Sequence, residues 1–274
     1  FSDEAYEHAK QTLTDPDSKW SKLINCVLDQ TDPNVARTTA LNLGYEAFFR
    51  GTKTIRENRV KYQCNIPWLI LFDPTSACNL HCKGCWAAEY GNKLNLSYDE
   101  IDDIIRQGKE MGTYFYIYTG GEPLVRKKDL IKLCEKHSDA IFMCFTNGTL
   151  IDEEFAQNML KVKNFVPVIS VEGFEEATDS RRGNGTYQRA VNAMNLLKRN
   201  RLPFGISTCY TSANIKDVST EAYVDQLVEW GAYFVWYFHY MPVGKDAVPE
   251  LLPSPEQREY MYHQIRELRG KKPI

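Results

Sequence analysis

The sequence predicts an α/β fold, a partial (βα)6 TIM-like barrel preceded by an N-terminal helical segment. From Pro67 onward, short apolar runs rich in aromatic and β-branched residues alternate with amphipathic helical segments. Such alternation implies parallel strands joined by right-handed crossovers. An eight-unit barrel typically takes ~250 residues. About 200 residues follow Pro67, so six units fit and eight do not.

Six strands and six helices follow from this pattern. The strands are predicted near residues 68–73, 114–119, 141–146, 166–171, 204–210 and 233–240, and the helices near 98–111, 127–138, 152–163, 186–200, 220–230 and 255–269. Capping boxes that begin at Ser97 and Ser254 support the first and the last of these helices. In such a barrel the active site lies at the C-terminal ends of the strands.

Residues 1–64 are predicted to form the helical N-terminal segment and residues 65–274 the barrel. The pair Asp32-Pro33 is typical of a helix start, with an N-cap acid followed by proline at the first helical position. Later in this segment apolar residues at helical spacing alternate with basic ones: Tyr45, Phe48, Phe49 and Ile55 with Arg50, Lys53, Arg56 and Arg59. We expect the apolar side chains to dock the segment on the barrel while the basic ones face water. The alternative is contact with a membrane surface.

Composition and charge narrow the function classes. A net charge of −3 and a pI near 6.0 provide no global basic field for nucleic acid. No apolar run approaches the ~18–20 residues needed to span a bilayer. Eight cysteines in 274 residues are too few for a disulfide scaffold. A reducing cytoplasm is therefore the expected compartment.

Three cysteines cluster in the loop after the first predicted barrel strand. Cys78, Cys82 and Cys85 form a C-x3-C-x2-C motif within a polar segment. A [4Fe–4S] cluster normally takes four thiolates, so three of them leave one iron open for another ligand. Zinc is the alternative, but structural zinc requires a closed tetrahedral set. The only nearby fourth ligand is His81, and its position beside Cys82 would strain such a site.

With this motif the chain resembles the radical S-adenosylmethionine (SAM) superfamily, whose members carry it after the first strand of a partial barrel. The resemblance runs from about Trp68 to Val243. It implies two cofactors: a [4Fe–4S] cluster on the three cysteines, and SAM bound to the open iron through its amino and carboxylate groups. Peptide-modifying members often carry further clusters in a C-terminal extension, and such an extension could follow Ile274.

Two further segments resemble the family's cofactor-binding motifs. The turn Gly120-Gly121-Glu122-Pro123 ends the second strand and resembles the GGE motif. There the glycines would let the backbone approach the cofactor, and Glu122 would accept hydrogen bonds from its ammonium group. Thr146 and Asn147 end the third strand within a segment that resembles the family's TNG, whose polar residues lie near the cofactor.

The later strands carry the remaining expected SAM contacts. Ser170 and Glu172 resemble the S-x-D-G motif, with glutamate in place of aspartate. Arg182 belongs to a stretch resembling RGxG and is expected to pair with the cofactor carboxylate, the alternative being a solvated surface charge. Met241 begins a segment resembling the backbone that cradles the adenine. One departure is Gly84, because many members have an aromatic residue before the third cysteine. Here an aromatic residue, Trp86, follows that cysteine instead.

The resemblance implies an enzyme that cleaves SAM reductively to a 5′-deoxyadenosyl radical, which takes a hydrogen atom from a substrate. The electron would come from a reductant of the flavodoxin or ferredoxin type. The substrate stays open between a peptide and a lipid-like molecule. Cys209, late in the fifth strand, is either a hydrogen-atom donor or a buried, inert thiol. The alternative function is an electron carrier or iron sensor that does not cleave SAM, although such a protein needs no cofactor-binding motifs.

Overall fold

The computed structural model describes residues 3–87, 91 and 93–274. All six predicted strands are present within two residues of their expected bounds: β1 Leu69–Thr75, β2 Phe115–Gly120, β3 Ile141–Thr146, β4 Phe165–Ser170, β5 Gly205–Tyr210 and β6 Val235–His239. They form one parallel sheet in chain order, with β1 and β6 as its edges. The curled sheet with its helices confirms the partial (βα)6 barrel.

The helices follow the predicted alternation. Before β1 lie α1 Asp3–Thr14, α2 Lys19–Gln30, α3 Pro33–Thr39, a π-helical stretch Ala40–Gly51, and α4 Thr52–Tyr62. The barrel helices are α5 Tyr98–Met111, α6 Lys127–Lys136, α7 Glu153–Val162, α8 Glu175–Arg182, α9 Thr186–Arg199, α10 Ile215–Val218, α11 Glu221–Trp230 and α12 Pro255–Lys271. Both capping boxes and the Asp32 N-cap are formed, so these predictions are confirmed.

Helix α8 was not expected from the sequence. Its N-cap residue, Phe174, makes no side-chain cap hydrogen bond, and of its eight residues only Thr178 is buried. A polar N-cap and an apolar stripe are therefore missing, and the remaining local signals are the acidic first turn, the basic last turn and Gly183 after the helix. The helix matters because its last two residues, Arg181 and Arg182, reach the end of β4.

The core lies on both faces of the sheet. Successive side chains of a strand point to opposite faces. Tyr116 and Tyr118 of β2 pack outward under the helices, where each stacks with Phe142. Phe115 and Ile117 point to the concave face. Buried polar residues, such as Thr146 and Ser170, lie at the C-terminal ends of the strands.

The N-terminal helices pack at the N-terminal end of the strands, opposite the cysteine loop. Asn42 donates hydrogen bonds to the carbonyls of Ser138 and Ala140, just before β3, at 2.8 and 2.9 Å. The indole N–H of Trp68, just before β1, donates to the Ala47 carbonyl at 3.3 Å. No helix in the described part of the chain has the length and apolarity to cross a membrane.

The expected docking by aromatic residues is wrong. Tyr45, Phe48 and Phe49 are 52, 56 and 72% exposed, although Phe48 also contacts Trp68. Of the four apolar residues in that prediction, Ile55 alone is buried. The barrel is so close to the helix that small residues make the contact: a Cβ on Gly51 would lie 2.3 Å from the Gly112 carbonyl oxygen. Tyr45 and Phe49 point away from this contact.

Candidate active site

The cysteine loop leaves the C-terminal end of β1 and turns back on itself. Cys78, Cys82 and Cys85 are all partly buried. The Leu80 N–H donates to the Cys78 sulfur at 3.4 Å, and the Cys85 N–H donates to the Cys82 carbonyl at 3.2 Å. Burial raises the pKa of Cys78 and of Cys82 above the ordinary value. At Cys82 the nearby guanidinium of Arg182 opposes this rise.

The donor set fits an iron–sulfur cluster better than a single zinc ion. Among the residues that the structure describes, no three His, Cys, Asp or Glu side chains converge on one ion position. A cubane cluster requires no such convergence, because each thiolate binds a different iron. His81 is exposed at the surface of the loop. The three thiols are therefore the ligands that this loop offers.

The glycines of the second motif join β2 to the cysteine loop. The Gly121 N–H donates to the Thr75 carbonyl at 3.0 Å, and the Glu122 N–H donates to the Ala77 carbonyl at 2.8 Å. A Cβ on Gly121 would lie only 2.3 Å from the Ala77 oxygen. At Gly120, φ is +104°, a value that side chains rarely adopt. The two glycines thus allow the turn after β2 to approach the start of the cysteine loop closely.

Glu122 is buried and already bonded within the chain. Its Oε1 accepts from the Thr146 hydroxyl and the Leu124 N–H at 2.8 and 2.9 Å, and its Oε2 accepts from the Asn147 N–H at 2.8 Å. Burial raises its pKa above the ordinary value, and the hydrogen bonds from Asn147 and Leu124 oppose the rise. A carboxylate offers about four acceptor positions. One position, on Oε2, remains for a ligand. Pro123 starts a short 3-10 helix that this carboxylate caps.

The end of β3 is tied to the cysteine motif by an amide pair. The Asn147 side chain donates to the Asn79 side chain at 2.8 Å, and Asn79 donates to the Thr149 hydroxyl at 2.8 Å. Sequence reasoning identified Asn147 and missed both partners. The position of Asn79 between the first two cysteines was the available signal.

A buried ion cluster lies at the end of β4. Oε1 of Glu172 accepts from Nη1 of Arg181 at 2.5 Å, and from Nε and Nη2 of Arg182 at 2.7 and 2.5 Å. Its Oε2 accepts from the Cys209 N–H at 3.0 Å. Burial disfavours both guanidinium charges, but the Glu172 carboxylate outweighs it and holds both arginine pKa values above the ordinary one. Two cations share one anion, so the cluster carries a surplus positive charge. The alternative that Arg182 is merely a solvated surface charge is wrong, because its side chain is only 13% exposed.

Arg181 also contacts the cysteine loop, a role that sequence reasoning missed. Its carbonyl accepts from the Lys83 N–H at 2.7 Å, and its guanidinium lies 5.9 Å from the Tyr240 ring centroid. Its Nε is buried and has no hydrogen-bond partner among the described residues. Such an unpaired donor beside the loop suits an anionic ligand group. Tyr240 itself is buried against Gly84, where a Cβ would lie 2.5 Å from the tyrosine oxygen.

The other expected residues lie at the same end of the sheet. Ser170 is buried in the last position of β4. Cys209 is partly buried, and its burial raises its pKa to about 11. Met241 follows β6 and is 56% exposed. The structure thus brings together the ends of all six strands around the cysteine loop.

This arrangement matches a known family. A family model described as the Radical SAM superfamily matches residues 72–229, more than half of the chain. The chain belongs to the Radical SAM superfamily. It is an enzyme of the radical SAM class, which uses a [4Fe–4S] cluster and SAM.

The curated relatives that the chain matches are longer proteins. The chain is 28% identical over 201 residues to the AdoMet-dependent heme synthase of Methanosarcina barkeri. The aligned region covers 71% of this chain and 57% of the relative. It is 30% identical over 209 residues to the mycofactocin maturase MftC of Mycolicibacterium smegmatis, covering 72% of this chain and 51% of MftC. The chain therefore spans about half the length of these relatives.

Two solved structures with bound S-adenosylmethionine have a similar fold. Streptococcus suis SuiB bound to S-adenosylmethionine is similar with a TM-score of 0.64 and 19% identity, over 78% of this chain and 52% of SuiB. The enzyme anSMEcpe with bound AdoMet and Cp18Cys peptide is similar with a TM-score of 0.61 and 21% identity, over 74% of this chain and 62% of that chain. At these identities the similarity shows the fold alone.

Proposed function

We propose that the protein holds a [4Fe–4S] cluster through Cys78, Cys82 and Cys85 and cleaves SAM reductively, producing a 5′-deoxyadenosyl radical that takes a hydrogen atom from the substrate. One observation carries the proposal: two buried carboxylates, Glu122 and Glu172, lie in segments that contact the cysteine loop at two places. The Glu122 N–H donates to the Ala77 carbonyl of the loop, and the Lys83 N–H of the loop donates to the carbonyl of Arg181, the ion-pair partner of Glu172. A plain electron carrier has no use for such a construction.

We assign the following roles to the chain's own groups. The free acceptor position of Glu122 would receive the ammonium group of SAM, since a charge-assisted hydrogen bond favours that pairing. Arg182 has donors beyond the two that contact Glu172, and would receive the carboxylate together with the unpaired Nε of Arg181. Gly120, Pro123, Thr146, Asn147, Ser170 and Met241 would complete the binding site through its strand ends. The one-electron reductant would be of the flavodoxin or ferredoxin class.

The decisive experiment is anaerobic reconstitution with iron and sulfide. The protein should bind about four irons, and with SAM and dithionite it should release 5′-deoxyadenosine. Replacing the three cysteines of the loop with alanine should abolish both signals, whereas the control Cys26→Ala/Cys64→Ala should change neither. A protein that binds iron but releases no 5′-deoxyadenosine would be the electron carrier or sensor. Stoichiometric zinc with refusal of iron would overturn the cluster itself.

We propose that the substrate presents an apolar, flat or aromatic group to the concave face. Phe145, Trp236 and Phe238 form an aromatic wall there, with ring centroids 5.3 to 6.3 Å apart. Peptides, tetrapyrroles and isoprenoid lipids all carry such groups. MftC is named a maturase, SuiB was solved with a precursor peptide, and the Methanosarcina barkeri relative is named a heme synthase.

Separate incubations would distinguish these sources. Reconstituted enzyme is given SAM, reductant and one candidate: an aromatic-rich peptide, a coproporphyrin or an isoprenoid lipid. The true class should raise the rate of 5′-deoxyadenosine release, and Trp236→Ala should remove the increase. An increase that survives Trp236→Ala would remove the wall from the substrate site.

A further inference from the structure

The helical stretch before β1 carries an exposed apolar surface, here named the aromatic face: Leu41, Tyr45, Phe48 and Phe49. These side chains are 49, 52, 56 and 72% exposed. Leu41, Tyr45 and Phe49 follow one another at intervals of four residues, which places them along one side of the helix, and Phe48 is adjacent to Phe49 in the sequence. A contiguous exposed patch of this kind marks an interaction site more often than chance exposure.

The aromatic face is held in shape by the fold. Tyr45 and Phe49 stack with ring centroids 6.0 Å apart, and Phe48 packs on Trp68 at 4.8 Å. The opposite side of the helix, with Ala47 and Gly51, is buried on the barrel. The helix cannot rotate to bury its rings without losing those contacts. The outward orientation is therefore a fixed feature.

The charge around the aromatic face differs from that of the chain. Residues 40–62 contain five basic and two acidic residues, a surplus of three positive charges, whereas the whole chain has a net charge of −3. Glu46 is paired with Arg50, and this pair contributes no net charge to the surplus. Lys53 and Arg56 are exposed one to two turns after the rings. A cationic rim beside exposed aromatic rings complements an anionic surface that has an apolar interior.

We propose that the aromatic face is a docking surface for an anionic lipid bilayer, on which the helix lies parallel to the membrane plane. Aromatic rings enter the boundary between headgroups and acyl chains, and basic side chains contact anionic headgroups. The face lies at the N-terminal end of the strands, so docking leaves the cysteine loop at the far end of the barrel. Trp68 and Leu69 join this end to the apolar cluster on the concave face.

Vesicle flotation tests the proposal on the purified protein. Vesicles of phosphatidylcholine alone are compared with vesicles containing about one third phosphatidylglycerol, at low and at high salt. The protein should float with the anionic vesicles at low salt and less at high salt, because screening weakens the charge contribution. No flotation with anionic vesicles at low salt, or equal flotation with neutral ones, overturns the proposal.

Two pairs of variants locate the surface. Tyr45→Ser/Phe49→Ser and Lys53→Glu/Arg56→Glu should each reduce the bound fraction roughly tenfold or more. The matched controls are Trp20→Ser/Leu28→Ser, which removes two exposed apolar side chains from α2, and Lys128→Glu/Lys132→Glu, which reverses two exposed charges on α6. Both controls should float like the wild type, and equal losses in controls and variants overturn the assignment.

Size-exclusion chromatography of the same proteins tests whether a second copy of the chain, and not a bilayer, binds the aromatic face. If the wild type is a dimer that Tyr45→Ser/Phe49→Ser converts to a monomer, the face is a contact between two copies and the lipid proposal is wrong. The proposal does not depend on the proposed reaction. Iron content and 5′-deoxyadenosine release should be unchanged in the four variants, so a failed reaction and a failed flotation are separate results.

Discussion

Replacing Glu172 with glutamine should destabilise the protein more than any other single change at the site. The carboxylate accepts three contacts of 2.5–2.7 Å from Arg181 and Arg182, whose side chains are 14 and 13% exposed. Glutamine keeps the shape but removes the charge, and its amide N–H groups would face other donors. Breaking a buried ion pair costs about 3–5 kcal/mol because an unpaired charge stays buried. Water screens little of this cluster, so we expect a loss within that range.

Thermal melting followed by circular dichroism measures the effect. A loss of about 3–5 kcal/mol corresponds to a fall in Tm of roughly 10 °C for a chain of this size. The control is Glu153→Gln, which breaks an ion pair with Arg199 whose side chains are 58 and 71% exposed. Exposed pairs contribute about 0–1 kcal/mol, so the control should melt almost like the wild type.

A comparison with Glu172→Asp tests the geometry. Aspartate is the residue in the family motif and keeps the charge, but it is one methylene shorter and should not reach both guanidinium groups. Its Tm should fall between that of the wild type and that of Glu172→Gln. A Glu172→Gln protein that melts with the wild type would refute the ion-cluster argument. Glu172→Asp melting above the wild type would refute the argument from reach.

Three further predictions concern the neighbouring groups. Glu122→Gln places an amide donor against backbone donors and should lower SAM affinity roughly ten- to a hundredfold in a cofactor titration; unchanged affinity would remove its proposed role. Gly121→Ala should cost about 1–3 kcal/mol and lower the iron retained after reconstitution, because the new methyl group meets the cysteine-loop backbone. In the control Gly44→Ala the new methyl group meets nothing within 4 Å, so the stability and the retained iron should both be unchanged. The raised pKa of Cys209, about 11, keeps the thiol protonated at neutral pH. Its alkylation by iodoacetamide should therefore accelerate between pH 9 and 11, and any stability linked to its protonated form is lost over the same range. Rapid alkylation at pH 7, compared with exposed Cys64 in the same sample, would contradict this.

The strands were predictable because local pattern and tertiary role agree. Apolar runs such as 141–146 are buried on both faces, and such runs have few alternatives to a central parallel strand. The same holds for the helix start at Asp32 and for the capping boxes, where the signal is a local hydrogen bond. Helix α8 lacks a polar N-cap and an apolar stripe, and its charged first and last turns are a weaker signal that sequence reasoning missed.

The orientation of the N-terminal helix could not be predicted from the helix itself. Its periodicity is correct for an amphipathic helix, with Tyr45 and Phe49 one turn apart. Which side of the helix faces the barrel depends on how closely the two approach each other. At Gly51 the distance is so short that any larger residue would clash with the Gly112 carbonyl. The expectation that apolar side chains face the barrel was therefore wrong for Tyr45 and Phe49.

The departures from the family motifs are explained only by contacts between distant segments. Gly84 stands where many members have an aromatic residue, and the ring of Tyr240, from the end of β6, fills the space beside it. A glycine with φ of +68° tolerates both the turn and the ring. The ring is fixed by the Val248 N–H, which donates to its hydroxyl at 2.9 Å, and by the Arg181 guanidinium. Arg181 is also a partner of Glu172, so both departures from the motifs meet at one side chain. The chain thus supports its cysteine loop with a tyrosine and an arginine that lie 156 and 97 positions beyond Gly84 in the sequence.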